Sequence, residues 1–171
     1  MEATIRLATC EDLPSISRIT EEVWAATYPL LEKQITTQAL QGYFERRRKD
    51  PREAVQFCKD RMLNVAWHLF VIEEEETVCG YADVIESVET VELKSIYLLP
   101  AFQGRGFGKA LLRHALKDYE GKKIIVNVAR SNIRAQRFYT QCGFKANPDV
   151  HAVPFILDDS IEMEQIQMKR D

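Results

Sequence analysis

Sulfur and imidazole are sparse in this sequence, and neither is arranged for chemistry. The four cysteines, Cys10, Cys58, Cys79 and Cys142, stand far apart with no C-x-x-C pair, which excludes a disulfide framework and a zinc knuckle. The three histidines, His68, His114 and His151, lack H-x-x-x-H spacing, so no metal is expected. Apolar runs are only a few residues long, too short to span a membrane. Met1 to Arg6 has no basic start followed by an apolar block, so no secretory leader is read and a cytoplasmic location is the default. A basic excess is also missing. With 23 Lys and Arg against 26 Asp and Glu, the net charge is −3, which argues against general nucleic-acid binding and leaves room for a cationic small molecule. Repeats and low-complexity linkers are absent, and 171 residues predict one domain spanning 1–171.

What is present reads as a mixed α/β chain. Ile5 to Ala8 is a short strand. Asp12 is a plausible cap for a helix that places Leu13, Ile16, Ile19, Val23 and Trp24 on one face, and Pro29 is expected to end it soon after Tyr28. A second helix runs from Thr36 through Leu40, Tyr43 and Phe44 to the basic end Arg46–Lys49. A further helical piece covers about Ala54 to Met62. Strands are expected at Trp67–Ile72, Val78–Ile85 and Thr90–Leu98, with Glu73–Glu76 as a soluble turn. A helix then puts Phe107, Leu111, Ala115 and Tyr119 on one side. Ile124–Val126 suggests a strand buried on both faces. The next helix starts at Asn132, turns Ala135, Phe138, Tyr139 and Cys142 inward and stops at Gly143. Two extended runs, Phe144–Val150 and Glu162–Lys169, close the chain, with Pro154, Asp158 and Asp159 in a loop between them.

The chain is organised around Leu93 to Leu112, where an extended run meets Pro100, then a turn with three glycines in five residues, then an amphipathic helix. Glycines let backbone N–H groups approach an anion, and a helix N-terminus adds partial positive charge. A nucleoside-triphosphate loop needs G-x-x-x-x-G-K-[ST]; here Gly108-Lys109 is followed by Ala110, and Gln103 stands where the first glycine belongs. A dinucleotide fingerprint needs G-x-G-x-x-G in the first βα unit; here the spacing is G-x-G-x-G, late in the chain.

Two motifs do fit a family. Gln103-Gly-Arg-Gly-Phe-Gly108 matches [QR]-x-x-G-x-[GA], and Asn132 to Phe144 matches N-x-x-A-x-x-F-Y-x-x-x-G-F. In this order they resemble the GNAT superfamily of acetyl-CoA-dependent N-acetyltransferases. Phe155 to Lys169 and the Trp24-Ala-Ala-Thr-Tyr28 segment are similar, over a short and imperfect stretch, to the PaiA-type spermidine/spermine acetyltransferases. The fold implied is a largely antiparallel twisted sheet with helices on both faces, the GNAT-type acyl-CoA N-acyltransferase fold. The activity implied is direct transfer of acetyl from acetyl-CoA to a primary amine through a tetrahedral intermediate, the acceptor being a polyamine or other small amine. The alternatives are acetylation of a protein or peptide amine, or a non-catalytic acyl-CoA-binding module. Homodimers are common in the superfamily, but no residue here fixes a surface.

The resemblance also assigns roles. Backbone N–H groups from Gly104, Arg105, Gly106, Phe107, Gly108 and Lys109, in the motif that Gln103 opens, would surround the CoA pyrophosphate, with charge added by Arg105 and Lys109. Ile96, Tyr97 and Leu98 would offer main-chain groups to the pantetheine arm, and an Ile96 or Leu98 N–H would serve the oxyanion. Asn132 would contact pantetheine as well as cap its helix, and Ala135 would leave room for the cofactor. Tyr139 matches the tyrosine that protonates the CoA sulfur, although beside Phe138 it also reads as core. Glu92 matches the general-base position of the histone-acetylating branch, although strand glutamates commonly face solvent. Strand alternation puts Glu92, Lys94, Ile96 and Leu98 on one face. Acceptor contacts are expected from Trp24, Thr27, Tyr28, Tyr43 and the Asp158-Asp159 loop; Trp24 and Tyr28, four apart, equally suit a core.

Overall fold

The computed structural model describes residues 3–31, 35–49, 52, 56, 60–158 and 161–171. Strand β1 (Thr4–Leu7) leads through a single 3-10 turn into α1 (Leu13–Leu31), followed by α2 (Thr37–Lys49). Then come β2 (Trp67–Glu74), β3 (Thr77–Glu86) and β4 (Thr90–Leu98), and after the glycine loop α3 (Phe107–Ala115). The chain closes with β5 (Lys123–Ala129), α4 (Ile133–Gln141), β6 (Lys145–Ala146), β7 (Phe155–Asp158), β8 (Ile161–Met163) and β9 (Gln165–Arg170). Seven strands form one sheet in the order β1-β2-β3-β4-β5-β9-β6, and β7-β8 is a separate hairpin. Every pairing is antiparallel except β4 with β5. The mixed, largely antiparallel sheet is therefore as the sequence implied.

Helices cover both faces. On one, Thr20 of α1 bonds the hydroxyl of Tyr81 in β3 at 2.8 Å. On the other, α3 packs against β2 to β4, with Leu111, Leu112 and Ala115 buried. A second apolar cluster, built on Trp24, Tyr28, Leu40, Phe44, Leu157 and Met163, closes the end of the sheet between α1, α2 and the β7-β8 hairpin.

Several boundaries differ from the sequence reading. α1 runs through Pro29 to Leu31: in the last turn a proline forfeits one helical bond but leaves the following residues free to stay helical. Asp12 does not cap α1. It accepts the Thr9 N–H at 2.8 Å within the 3-10 turn and takes a bidentate ion pair from Arg6 (2.8 and 2.9 Å). The piece predicted at 54–62 lies mostly outside the described residues, of which 60–62 are helical. α3 stops at Ala115, although Tyr119 is still buried beyond it. β5 buries Ile124, Val126 and Val128 on one face, whereas on the other Ile125 and Asn127 are only half-buried and Ala129 alone is buried. The run Phe144–Val150 yields only the two-residue β6, and Glu162–Lys169 is broken at Glu164 into β8 and β9. Asp158 belongs to a strand rather than a loop, because Leu157 and Met163 turn into the second cluster; Asp159 lies outside the described residues.

The Arg6–Asp12 pair gives a pH prediction. The guanidinium holds the Asp12 carboxyl below its ordinary value of 3.8, outweighing burial that pushes it up. A carboxylate depressed in the folded state adds stability above its unfolded pKa and loses it as pH falls through the folded one. Urea unfolding below pH 4 should therefore lose stability more steeply for the wild type than for Asp12→Asn. Parallel curves would show that the pair contributes nothing.

Candidate active site

The site begins at a break in the sheet. β4 and β5 pair only over Thr90–Leu93 and Lys123–Val126, yet β4 continues to Leu98 and β5 to Ala129. Beyond Leu93 the two strands part, and each keeps its other neighbour, β3 and β9. The Leu99 N–H donates to Cys79 of β3 at 2.9 Å. Main-chain groups alternate sides along a strand, so the Leu98 and Ile96 N–H groups face the opened edge.

A bulge corrects one expectation. Asp83 faces Ser95 but Val84 faces Leu93, so Lys94 is an extra residue in β4. Alternation resets there. Glu92 consequently shares the cleft face with Ser95 and Tyr97, not with Ile96 and Leu98. Asn127 on the splayed part of β5 donates to Glu92 at 3.1 Å, and Lys94 donates to it at 3.0 Å.

After β4, Gly104 and Gly106 take φ of 78° and 86°, in the left-handed region that favours glycine, and an added Cβ at either would meet nothing within 4 Å. The first bond of α3 runs from the Ala110 N–H to the Gly106 carbonyl at 3.1 Å, which leaves the N–H groups of Gly106 to Lys109 without helical partners. At Gly108 a Cβ would stand 3.3 Å from Phe138 and 3.4 Å from Leu98, so the start of α3 lies close against the second half of α4 and the end of β4. Asn132 caps α4, its Oδ1 accepting the Ala135 N–H at 3.0 Å. Gln103 donates to the Leu98 carbonyl (2.8 Å) and accepts from Arg134 (2.6 Å).

One cleft of about 1570 Å³ unites these features. Of the residues singled out in the sequence, Glu92, Ile96, Tyr97, Leu98, Gln103, Gly104, Gly106, Gly108, Lys109, Asn132, Ala135, Tyr139, Trp24, Thr27, Tyr28 and Tyr43 all line it. Two do not. Arg105 turns away to Glu74, at 2.8 and 2.5 Å, and Phe107 packs on the core. Among the lining residues given no role by the sequence are Asn127, Arg134 and Phe155. Asn127 left a signal, a polar side chain inside the apolar run of β5. Arg134 and Phe155 lie inside segments that carry the family resemblance, but at positions to which it assigns no role.

The far end of the cleft is aromatic. Trp24 meets Tyr28 and Phe155 edge-on at 5.2 Å and stacks on Tyr43 at 6.0 Å. Among the described residues its buried indole N–H meets no acceptor in full hydrogen-bonding geometry, although it lies near enough to the Tyr97 hydroxyl to pull that phenol's pKa down. Burial pushes the phenols of Tyr28, Tyr81, Tyr97 and Tyr139 up from their ordinary range; the nearby Tyr97 raises the other three further, while hydrogen bonds from Trp24 and Tyr28 partly offset the rise at Tyr97 itself. Asp83, buried beneath them, is pushed up by desolvation more than Arg61 and Trp67 pull it down. Among the described residues, no group of side chains could hold a metal ion and no helix is long and apolar enough to cross a membrane.

A splayed parallel pair, a glycine turn opening α3 and the capped α4 facing it together frame the cleft. The chain belongs to the acetyltransferase (GNAT) family, whose model matches residues 26–144. An uncharacterized N-acetyltransferase of Mycobacterium tuberculosis is 39% identical over 74 residues, 41% of this chain and 47% of that protein; the chain thus matches about half the length of this relative. The 5-NmdU N-acetyltransferase of Pseudomonas phage PaMx11 is 30% identical over 98 residues, 56% of this chain and 69% of its own. The PaiA N-acetyltransferase of Thermoplasma acidophilum, solved with coenzyme A, shares the fold with a TM-score of 0.79 at 20% identity, over 99% of both chains. A spermidine N-acetyltransferase chimera from Vibrio cholerae and hSSAT superposes with a TM-score of 0.68 at 21% identity, over 99% of this chain and 95% of that one.

Proposed function

We propose that residues 1–171 act as one N-acetyltransferase domain that moves acetyl from acetyl-CoA to a primary amine. The observation that carries this reading is the continuity of one cleft from the glycine loop, along the opened edge of β4, to Tyr139 and the aromatic end. The residues fit the group. The open turn at Gly104 and Gly106, the unpartnered N–H groups that begin α3, and the cations Lys109 and Arg134 suit a pyrophosphate. The opened edge of β4 suits an amide-bearing arm laid beside it as an added strand.

Bound acetyl-CoA supplies the thioester carbon and a thiol leaving group; the protein supplies protons and charge. Ile96 or Leu98 N–H donates to the carbonyl oxygen as negative charge builds on it. Tyr139 holds its proton, since burial raises its pKa, and so acts as acid toward the departing sulfur. Glu92 takes the proton from the amine, which has a pKa of about 10.4 in water, and the Asn127 bond fixes the carboxylate for that role.

The acceptor is a small amine, with polyamines first because two fold neighbours are the PaiA enzyme and a spermidine acetyltransferase. A second reading is favoured by the Trp24 N–H, which among the described residues meets no acceptor in full hydrogen-bonding geometry: an amine carrying a carbonyl, hydroxyl or carboxylate would satisfy it, which an ammonium cannot. Incubation with acetyl-CoA and panels of polyamines, amino acids and peptides, followed by mass spectrometry and thiol release, tests both. Acetylated spermidine is the first expected product. No acetylation of any amine would leave the binding-module alternative.

A further inference from the structure

The sequence invites Arg105 into the pyrophosphate site, but the structure engages it elsewhere. Its guanidinium forms a two-pronged ion pair with Glu74, at 2.8 Å and 2.5 Å, and the Glu74 side chain is only 8% exposed. The same guanidinium lies over the rings of Phe102 and Phe107, at 5.6 and 4.7 Å. These two residues bracket the glycine loop, Phe102 closing a short 3-10 turn at Pro100–Phe102 and Phe107 opening α3. One cation therefore ties both ends of the loop to the last residue of β2.

The hairpin that carries Glu74 shows a second sign. Its turn residues Glu75 and Glu76 hold φ of 50° and 60°, where hairpins ordinarily use asparagine and glycine. Strain of this kind persists where the surroundings over-determine it. Of the four consecutive glutamates, Glu73 accepts from Arg6 at 3.1 Å and Glu74 holds Arg105. The acidic run is an anchoring edge as well as a soluble turn.

We propose that Glu74 and Arg105 form a clamp that positions the pyrophosphate loop, with Glu74 as a positioning residue and Arg105 not itself a phosphate ligand. Gly104 and Gly106 give the loop its open path but no rigidity of their own. The bidentate pair supplies it, because a guanidinium and a carboxylate meet in one plane and one orientation. Lys109 and Arg134 remain as the cations that line the cleft beside the loop. The inference rests on the acetyltransferase reading, and the test separates the two.

The test uses Glu74→Gln, Arg105→Met and the double variant, each assayed with acetyl-CoA and with S-acetylpantetheine, which carries the thioester without the pyrophosphate. CoA affinity is measured separately by calorimetry. Misplacing the loop should raise KM for acetyl-CoA and the Kd for CoA about tenfold, with kcat and the S-acetylpantetheine kinetics unchanged. The double variant should be no worse than either single one, since both break one clamp. The competing arrangement predicts the opposite sign: a phosphate-binding Arg105 would be released by Glu74→Gln, and CoA would bind more tightly. Tighter binding, additive losses, or equal losses with both thioesters would overturn the clamp. A wild type that binds CoA but transfers acetyl to no amine would overturn the enzyme reading and leave the clamp to be decided by CoA affinity alone.

Discussion

Tyr139→Phe should lower kcat by about 10²-fold or more while leaving CoA affinity within about twofold, the range associated with loss of one general acid. The argument starts with packing. The Tyr139 ring is buried and sits 5.4 Å from Phe138 and 5.6 Å from Phe144. Phenylalanine keeps those contacts, so the fold and the loop that would hold CoA should be untouched. What is lost is one hydroxyl lining the cleft, whose proton burial makes harder to remove. A group of this kind can donate at neutral pH but cannot serve as a base, which separates its role from that of Glu92. Single-turnover kinetics should show the loss in the chemical step, and a better leaving thiol in the donor should recover part of it. A variant that turns over at the wild-type rate would return Tyr139 to the core, the role its neighbours Phe138 and Phe144 equally suit.

Much of this site could be read from the chain because its parts are local. The glycine loop and α4 each depend on residues within a dozen positions of one another, so turn chemistry, capping and period carry them directly. The face of Glu92 could not be read in that way. Whether it sides with Ser95 or with Ile96 turns on a single extra residue, Lys94, and a bulge is a property of two paired strands rather than one. The partner of Arg105 was hidden for a related reason: Glu74 lies on β2, two strands away from β4 in the sheet, and four consecutive glutamates look alike until the hairpin assigns each a direction. The C-terminal strands were blurred because Phe155 to Met163 pairs with itself rather than with the main sheet. Its apolar residues answer to Trp24 and Tyr28 in a helix at the other end of the chain. The aromatic end of the cleft is thus assembled from three elements, α1, α2 and the distant β7, and the acceptor is correspondingly the part of the function least legible from the motifs.

The second large effect is expected at a residue that carries no chemistry. Gly80 of β3 lies opposite Leu98, and a Cβ added there would stand 2.4 Å from Leu98 Cδ2, 2.7 Å from the Tyr97 carbonyl oxygen and 3.0 Å from Ile72 Cγ2. A side chain can rotate away from such a contact, but a backbone oxygen cannot, so β3 and β4 would have to move apart. Overpacking of this kind costs about 1–3 kcal/mol, and for a chain of this size each kcal/mol lowers Tm by roughly 2–4 °C. The displaced strand is the one whose opened edge bears the Ile96 and Leu98 N–H groups and whose end enters the glycine loop. Gly80→Ala should therefore lose donor binding as well as stability, with KM for acetyl-CoA rising in a protein still folded at assay temperature. Thermal unfolding and steady-state kinetics on the same preparation distinguish the outcomes. An unchanged Tm would mean that the strands accept the methyl group without moving. A lowered Tm with wild-type KM would mean that β4 yields on the β3 side alone and keeps its open edge in place.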